Sequence, residues 1–78
     1  MSMYRTDAVA SAIAETVENF ASTSHDIGRT CDYLDGACRI AHALTGIPTA
    51  SLLREVVALS DDCPDAASAA QYLRECNA

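Results

Sequence analysis

The sequence predicts an all-α fold, a compact bundle of about four short helices forming one domain over residues 1–78. Three observations carry that expectation. Apolar residues recur at steps of three and four through most of the chain, the period of a buried helix face. No stretch alternates apolar and polar with period two for long enough to make a strand. Breaks at Ser22-Thr23-Ser24, Gly46-Ile47-Pro48 and Asp61-Asp62-Cys63-Pro64-Asp65 divide the periodic segments into four, joined by short links.

After a lead-in from Met1 to Thr6, the first helix is expected from Asp7 to about Ala21. Val9, Ile13, Val17 and Phe20 share one face, and Asp7, Ser11, Glu15 and Glu18 share another. Acids in its first half suit the positive end of the helix dipole. Thr23, with Asp26 three residues on, reads as a capping box that opens the second helix and puts His25 in its first turn. That second helix, to Gly46, has the longest unbroken period. Ile27, Cys31, Leu34, Cys38, Ala41 and Leu44 draw one apolar seam, with His42 beside it. Asp35-Gly36 could turn the chain, but the seam keeps its phase on both sides, so a continuous helix is expected.

Gly46 stops the helix, and Ile47-Pro48 forces an extended link. Thr49 or Ser51 is expected to cap the third helix, whose apolar residues are Leu52, Leu53, Val56, Val57 and Leu59. Pro64 fits the first turn of the fourth, which is expected to bury Ala66, Ala69, Ala70, Leu73 and Cys76. With one Phe, three Tyr and no Trp, the core must rely on alanine and close helix approach. A chain of 78 residues is near the small end of what folds unaided, so a homodimer sharing apolar surface would be a natural remedy.

Eleven acids against five basic residues give a formal charge of −6, and the basic residues are Arg5, Arg29, Arg39, Arg54 and Arg74, scattered singly. Phosphate binding needs clustered positive charge, so direct binding of nucleic acid or of an anionic membrane is disfavoured. A basic protein surface is the electrostatically favoured partner. Residues 1–22 show no basic stretch followed by an apolar block, and no segment approaches the run of about 18 apolar residues that spans a bilayer. The expected location is the cytoplasm, with the cysteines as thiols.

Helical spacing separates Cys31 from Cys38 by about 10 Å and Cys63 from Cys76 by about 20 Å, too far for either pair to bridge within its helix. At most one bridge could join helices two and four. Cys31, Asp35, Cys38 and His42 form a stripe of competent zinc ligands about 16 Å long, from which one ion could take a neighbouring pair, best Cys38 with His42. Cys63 or Cys76 would then have to complete the shell. The same pair sets a thiol beside a base, but no orienting third group or oxyanion hole is visible. No CxxC and no phosphate-binding glycine loop occurs. No catalytic residue, metal site or cofactor is therefore assigned.

The segment Gly46–Val56, GIPTASLLREV, is similar to the turn and recognition helix of helix-turn-helix DNA-binding proteins. That resemblance implies Gly46 in the turn, Ile47 and Leu52 packed inward, and Thr49, Ala50, Ser51 and Arg54 toward a groove. The chain departs from the pattern at His42, where an alanine is usual, and at Glu55, where an apolar residue is usual. In general character (size, acidity, lack of catalytic motifs) the chain also resembles the small acidic anti-defence proteins of phages, anti-CRISPR proteins among them. That second resemblance implies a non-enzymatic inhibitor whose carboxylates cover a basic surface built for nucleic acid. The expected partner-binding residues are Asp7, Glu15, Glu18, Asp61, Asp62 and Asp65. The alternatives are a helix-turn-helix DNA-binding regulator and a small zinc-binding helical protein.

Overall fold

The computed structural model describes residues 4–76, and among them every regular element is an α-helix: α1 (Thr6–Ser24), α2 (Ile27–Thr45), α3 (Thr49–Leu59) and α4 (Pro64–Cys76). The expected lead-in falls partly on residues 1–3, outside the described residues. Neighbours around the bundle are not simply neighbours in sequence. α3 lies against α1 and α4, and α2 lies against α1 and α4, which leaves α1 diagonal to α4 and α2 diagonal to α3.

The core is built from small and branched side chains. α1 contributes Ala10, Ile13, Ala14 and Val17, and α2 contributes Leu34 and Cys38. Leu52, Leu53 and Val56 come from α3, and Ala66, Ala69, Ala70 and Leu73 from α4, with Ile47 plugging the bundle from the α2–α3 link. Alanine presents only a methyl group, so the helices can approach closely and exclude water with few large residues.

Each link has a local cause. α1 runs past the expected break to Ser24, and His25 ends it in the left-handed region at φ 55°, donating its backbone N–H to the Ala21 carbonyl. His25 therefore closes α1 and does not belong to the first turn of α2. The cap of α2 is Asp26 itself, whose carboxylate accepts from the Arg29 backbone N–H at 3.2 Å, and no Thr23–Asp26 capping box forms. Thr23 is still helical, and its hydroxyl donates back to the Asn19 carbonyl at 3.1 Å. Helix α2 passes through Gly36 unbroken and stops at Gly46, at φ 78°. There the Gly46 N–H donates to the His42 carbonyl at 2.8 Å, and the Ile47 N–H donates to the Thr45 hydroxyl at 3.2 Å. The residue before α3 is Pro48, and no side chain caps the helix, neither Thr49 nor Ser51. Instead the Pro48 carbonyl accepts from the Ser51 and Leu52 N–H groups.

Two burial expectations need correction. The α2 seam is buried only in its middle: Ile27 and Leu44 at its ends are 49% and 76% exposed. Ile27 borders a shallow cleft with Ser68 and Tyr72 of α4, and Leu44 borders a groove beside α1, so both ends of the seam sit at open margins between helices and not beneath them. Cys76 is exposed, because it occupies the last turn of α4, beyond the buried Leu73. Phe20 is half-buried and covers Tyr33 of α2 in a stacked pair with ring centroids 4.5 Å apart.

The two glycines of α2 and its terminus should respond oppositely to alanine. A Cβ at Gly36 or at Gly46 meets nothing within 4 Å, so only backbone preference decides. Gly36→Ala, within the helix, should raise unfolding free energy by about 0.5–1 kcal/mol. Gly46→Ala, at a positive φ, should lower it by about 1–2 kcal/mol. Urea unfolding followed by circular dichroism measures both; equal responses would contradict the backbone assignment.

Candidate functional site

Asp61 and Asp62 occupy the link between α3 and α4 because Ser60 ends α3 and turns inward. Ser60 is fully buried, and its carbonyl accepts from the Cys63 N–H at 3.1 Å, closing a four-residue turn. The two aspartates are the middle residues of that turn and point outward, as short polar side chains do in such positions. The Cys63 carbonyl accepts the first bond of α4, from the Ala67 N–H at 3.0 Å. Asp65 thus stands in the first turn of α4, where the helix dipole favours a carboxylate. All three are exposed.

The other expected residues lie along α1. Asp7 is exposed in the first turn, where one oxygen accepts from the Ala8 N–H at 2.9 Å and the other pairs with Arg5 at 2.8 Å. Glu15 is exposed and Glu18 half-buried, one and two turns beyond Ser11 on the flank of the helix. Asp7 and Glu18 are separated by about 16 Å along the axis, so the stripe is long and not a single cluster.

Three arginines are held by acids close in sequence: Arg5 by Asp7, Arg29 by Asp26 at 3.9 Å and Arg39 by Asp35 at 2.9 Å. Arg74 donates to the Gln71 side chain at 3.3 Å. Of the six expected partner-binding acids, only Asp7 is ion-paired among the described residues. Glu15, Glu18, Asp61, Asp62 and Asp65 have no such pair there.

The cysteine and histidine stripe of α2 does not assemble a reactive centre. Cys38 is 2% exposed, and burial, followed by the nearby Asp35 carboxylate, pushes its thiol up to about 11. A nucleophile or metal ligand needs the opposite shift. His42 is turned to the helix end, its Nδ1–H donating to the Ile47 carbonyl at 2.8 Å. Among the described residues no three His, Cys, Asp or Glu side chains converge as a metal site would require. All four cysteines are free thiols. Cys31 does lie across a shallow cleft of about 490 Å³ from Ser68 and Tyr72 of α4, and burial, then Asp32 and Cys76, raise its pKa. Tyr72 is raised too, chiefly by a side-chain hydrogen bond with Cys76.

In the helix-turn-helix-like segment, Ile47 and Leu52 do pack inward, and Arg54 and Ala50 are exposed. Thr49 and Ser51 are half-buried, as is Glu55. α2 and α3 touch only lightly, each packing chiefly on α1 and α4.

A second apolar stripe on α2 went unnoticed in the sequence: Tyr33, Ala37, Ile40 and Leu44. Its signal was present as a spacing of four, three and four in the same helix as the seam, sharing Leu44 with it. Ile40 and Leu44 are 63% and 76% exposed on this side. No helix among the described residues is long and apolar enough to cross a membrane. No family model, curated protein or solved structure matches the chain.

The thiols should separate by burial. Near about pH 8, an aromatic disulfide reagent should modify exposed Cys76 first and leave Cys38 until unfolding. Because the folded chain keeps the Cys38 proton between the ordinary value of 9.0 and about 11, it binds more protons than the unfolded chain in that window. The contribution of this group is therefore full below about pH 9 and lost as pH rises toward 11. Cys38→Ala should flatten that alkaline decline in denaturant titrations, although it lowers stability at neutral pH by opening a cavity. Rapid native modification of Cys38, or an unchanged alkaline slope in the variant, would contradict the burial.

Proposed function

We propose that this chain is a non-enzymatic interaction protein that covers a basic, nucleic-acid-binding surface of a partner complex, acting in the cytoplasm in the manner of the phage anti-CRISPR proteins it resembles. The single observation behind this reading is the state of its acids: five of the six carboxylates expected at the interface carry no ion pair among the described residues. Ion-paired carboxylates would have to give up one partner to gain another. Unpaired ones on a rigid turn offer fixed negative charge to arginine and lysine. The turn holding Asp61 and Asp62 is closed by the bond from the Cys63 N–H to the Ser60 carbonyl, and Asp65 stands in the first turn of α4. Such a constellation imitates a short run of phosphates. The reading needs no cofactor and no direct contact with nucleic acid, and it rests on no reactive thiol.

Binding through exposed charge weakens as salt screens it beyond about 8–10 Å. The chain, immobilised and exposed to a bacterial lysate, should retain a nucleic-acid-binding protein at low salt and release it by about 0.5 M salt. Asp61→Lys, Asp62→Lys and Asp65→Lys together should abolish retention while helicity by circular dichroism stays unchanged. Retention that ignores both salt and the triple reversal would reject the proposal. A gel shift of duplex DNA that is lost on Arg54→Ala would move the assignment to DNA binding.

A further inference from the structure

Helices α2 and α4 flank a shallow cleft of about 490 Å³, with Cys31 and Asp32 on the α2 side and Ser68 and Tyr72 on the α4 side. Ser68, Tyr72 and Cys76 follow one another at steps of four, so they form one ridge on α4, and Cys76 stands one turn beyond the cleft. The Tyr72 and Cys76 side chains are hydrogen-bonded to each other, and Tyr72 feels the charge of both Cys76 and Cys31. Two thiols and a phenol from two helices thus meet at one open margin of the bundle.

Distance excludes the other pairings. Cys63, at the start of α4, lies about 13–14 Å along the axis from Tyr72, and Cys38 lies about 10 Å from Cys31. Cys38 is also enclosed, at 2% exposure. A disulfide needs α-carbons within about 7 Å. Axes of packed helices are about 8–10 Å apart and α-carbons stand about 2.3 Å off each axis, so residues facing across such a pair meet that limit. α2 and α4 are packed in this way. Cys76 occupies the last turn of its helix, where helices fray, so its sulfur has the freedom to close the remaining gap.

We propose that Cys31 and Cys76 are an oxidisable pair, which a small disulfide of the glutathione type converts into a covalent bond between α2 and α4. The reaction is two thiol–disulfide exchanges. Exposed Cys76, as the thiolate, attacks the S–S bond of the oxidant, releasing one thiol and keeping the other half as a mixed disulfide. Cys31 then attacks the Cys76 sulfur and expels the second thiol. One S–S bond breaks and one forms, and the oxidant is reduced to two thiols, which take up the two protons the cysteines give up. The order follows from the surroundings. Burial, then Asp32, then Cys76 hold the proton on Cys31, so it is the slower nucleophile. Capping Cys76 removes its charge, and with it one of those three causes. Cys76 is about 16 Å along α4 from Asp65, so the pair stands or falls independently of the acidic partner surface.

The reduced chain, given about tenfold excess glutathione disulfide near pH 8, should become lighter by two hydrogen atoms and retain no glutathione. The rate should not change when the chain is diluted. Cleavage before aspartate separates all four cysteines, because Asp32 and Asp35 lie between Cys31 and Cys38, and Asp65 lies between Cys63 and Cys76. The product should contain residues 26–31 joined to residues 65–78. Cys31→Ser should instead keep one glutathione on Cys76, with helicity unchanged. Because the bond closes a loop over much of the chain, it should raise the urea midpoint by roughly 1–2 M, and a dithiol should reverse the rise. Cys76→Ser, at an exposed position, should show no such rise. A wild-type product that keeps glutathione on Cys76, joins other cysteines or links two chains overturns the proposal, as does a midpoint that fails to rise.

Discussion

The structure depends on close approach of helices whose inward faces are largely alanine. Ala10 and Ala14 of α1, and Ala66, Ala69 and Ala70 of α4, are at most 4% exposed. Because these two helices lie diagonally, their small faces let the pairs on either side close over Leu34, Leu52, Leu53 and Val56. A methyl group fills little volume, so stability in such a core comes from proximity and dispersion over many small contacts more than from a few large side chains. The same economy leaves little apolar material to spare, and Ile40 and Leu44 on the outside stand out for that reason.

What could be read from the residues followed their physical strength as signals. Continuity of α2 across Gly36 was legible because the apolar phase is the same on both sides, and one glycine costs a helix at most about 1 kcal/mol. The stop at Gly46 and the start at Pro64 were legible because only glycine is at ease at a positive φ, and proline at the first position of a helix gives up no hydrogen bond. Caps were less so. Thr23 and Asp26 are both competent, and the choice fell to Asp26 because α1 continues to Ser24, which only the packing of α1 could decide. Where neighbouring helices leave an open margin, or where a last turn passes the core, is likewise invisible in a periodicity, hence the exposed Ile27, Leu44 and Cys76. The second stripe of α2 was concealed because it shares Leu44 with the first.

The fold separates kinds of surface. Carboxylates with no ion pair among the described residues project from the turn that follows buried Ser60 and from the flank of α1, while three arginines stay with neighbouring acids. Among the described residues, none that lines the apolar groove between α1 and α2 is acidic. Cysteines sit at graded depths, from enclosed Cys38 to exposed Cys76, and the deepest is held protonated by its surroundings. A rigid frame is what makes such a division useful, since charge fixed in place is worth more to a binding partner than charge that must first be ordered.

The frame that holds these surfaces rests on the packed alanine faces, and enlarging one tests that packing most directly. Ala69, fully buried, and Ala58, exposed at the outer side of α3, can each be replaced by leucine and followed by urea denaturation. If the helices meet through methyl groups, Ala69→Leu should lower unfolding free energy by about 1–3 kcal/mol, while Ala58→Leu should change it by no more than about 0.5 kcal/mol. An Ala69→Leu chain as stable as the parent, or more so, would show room where the account requires contact.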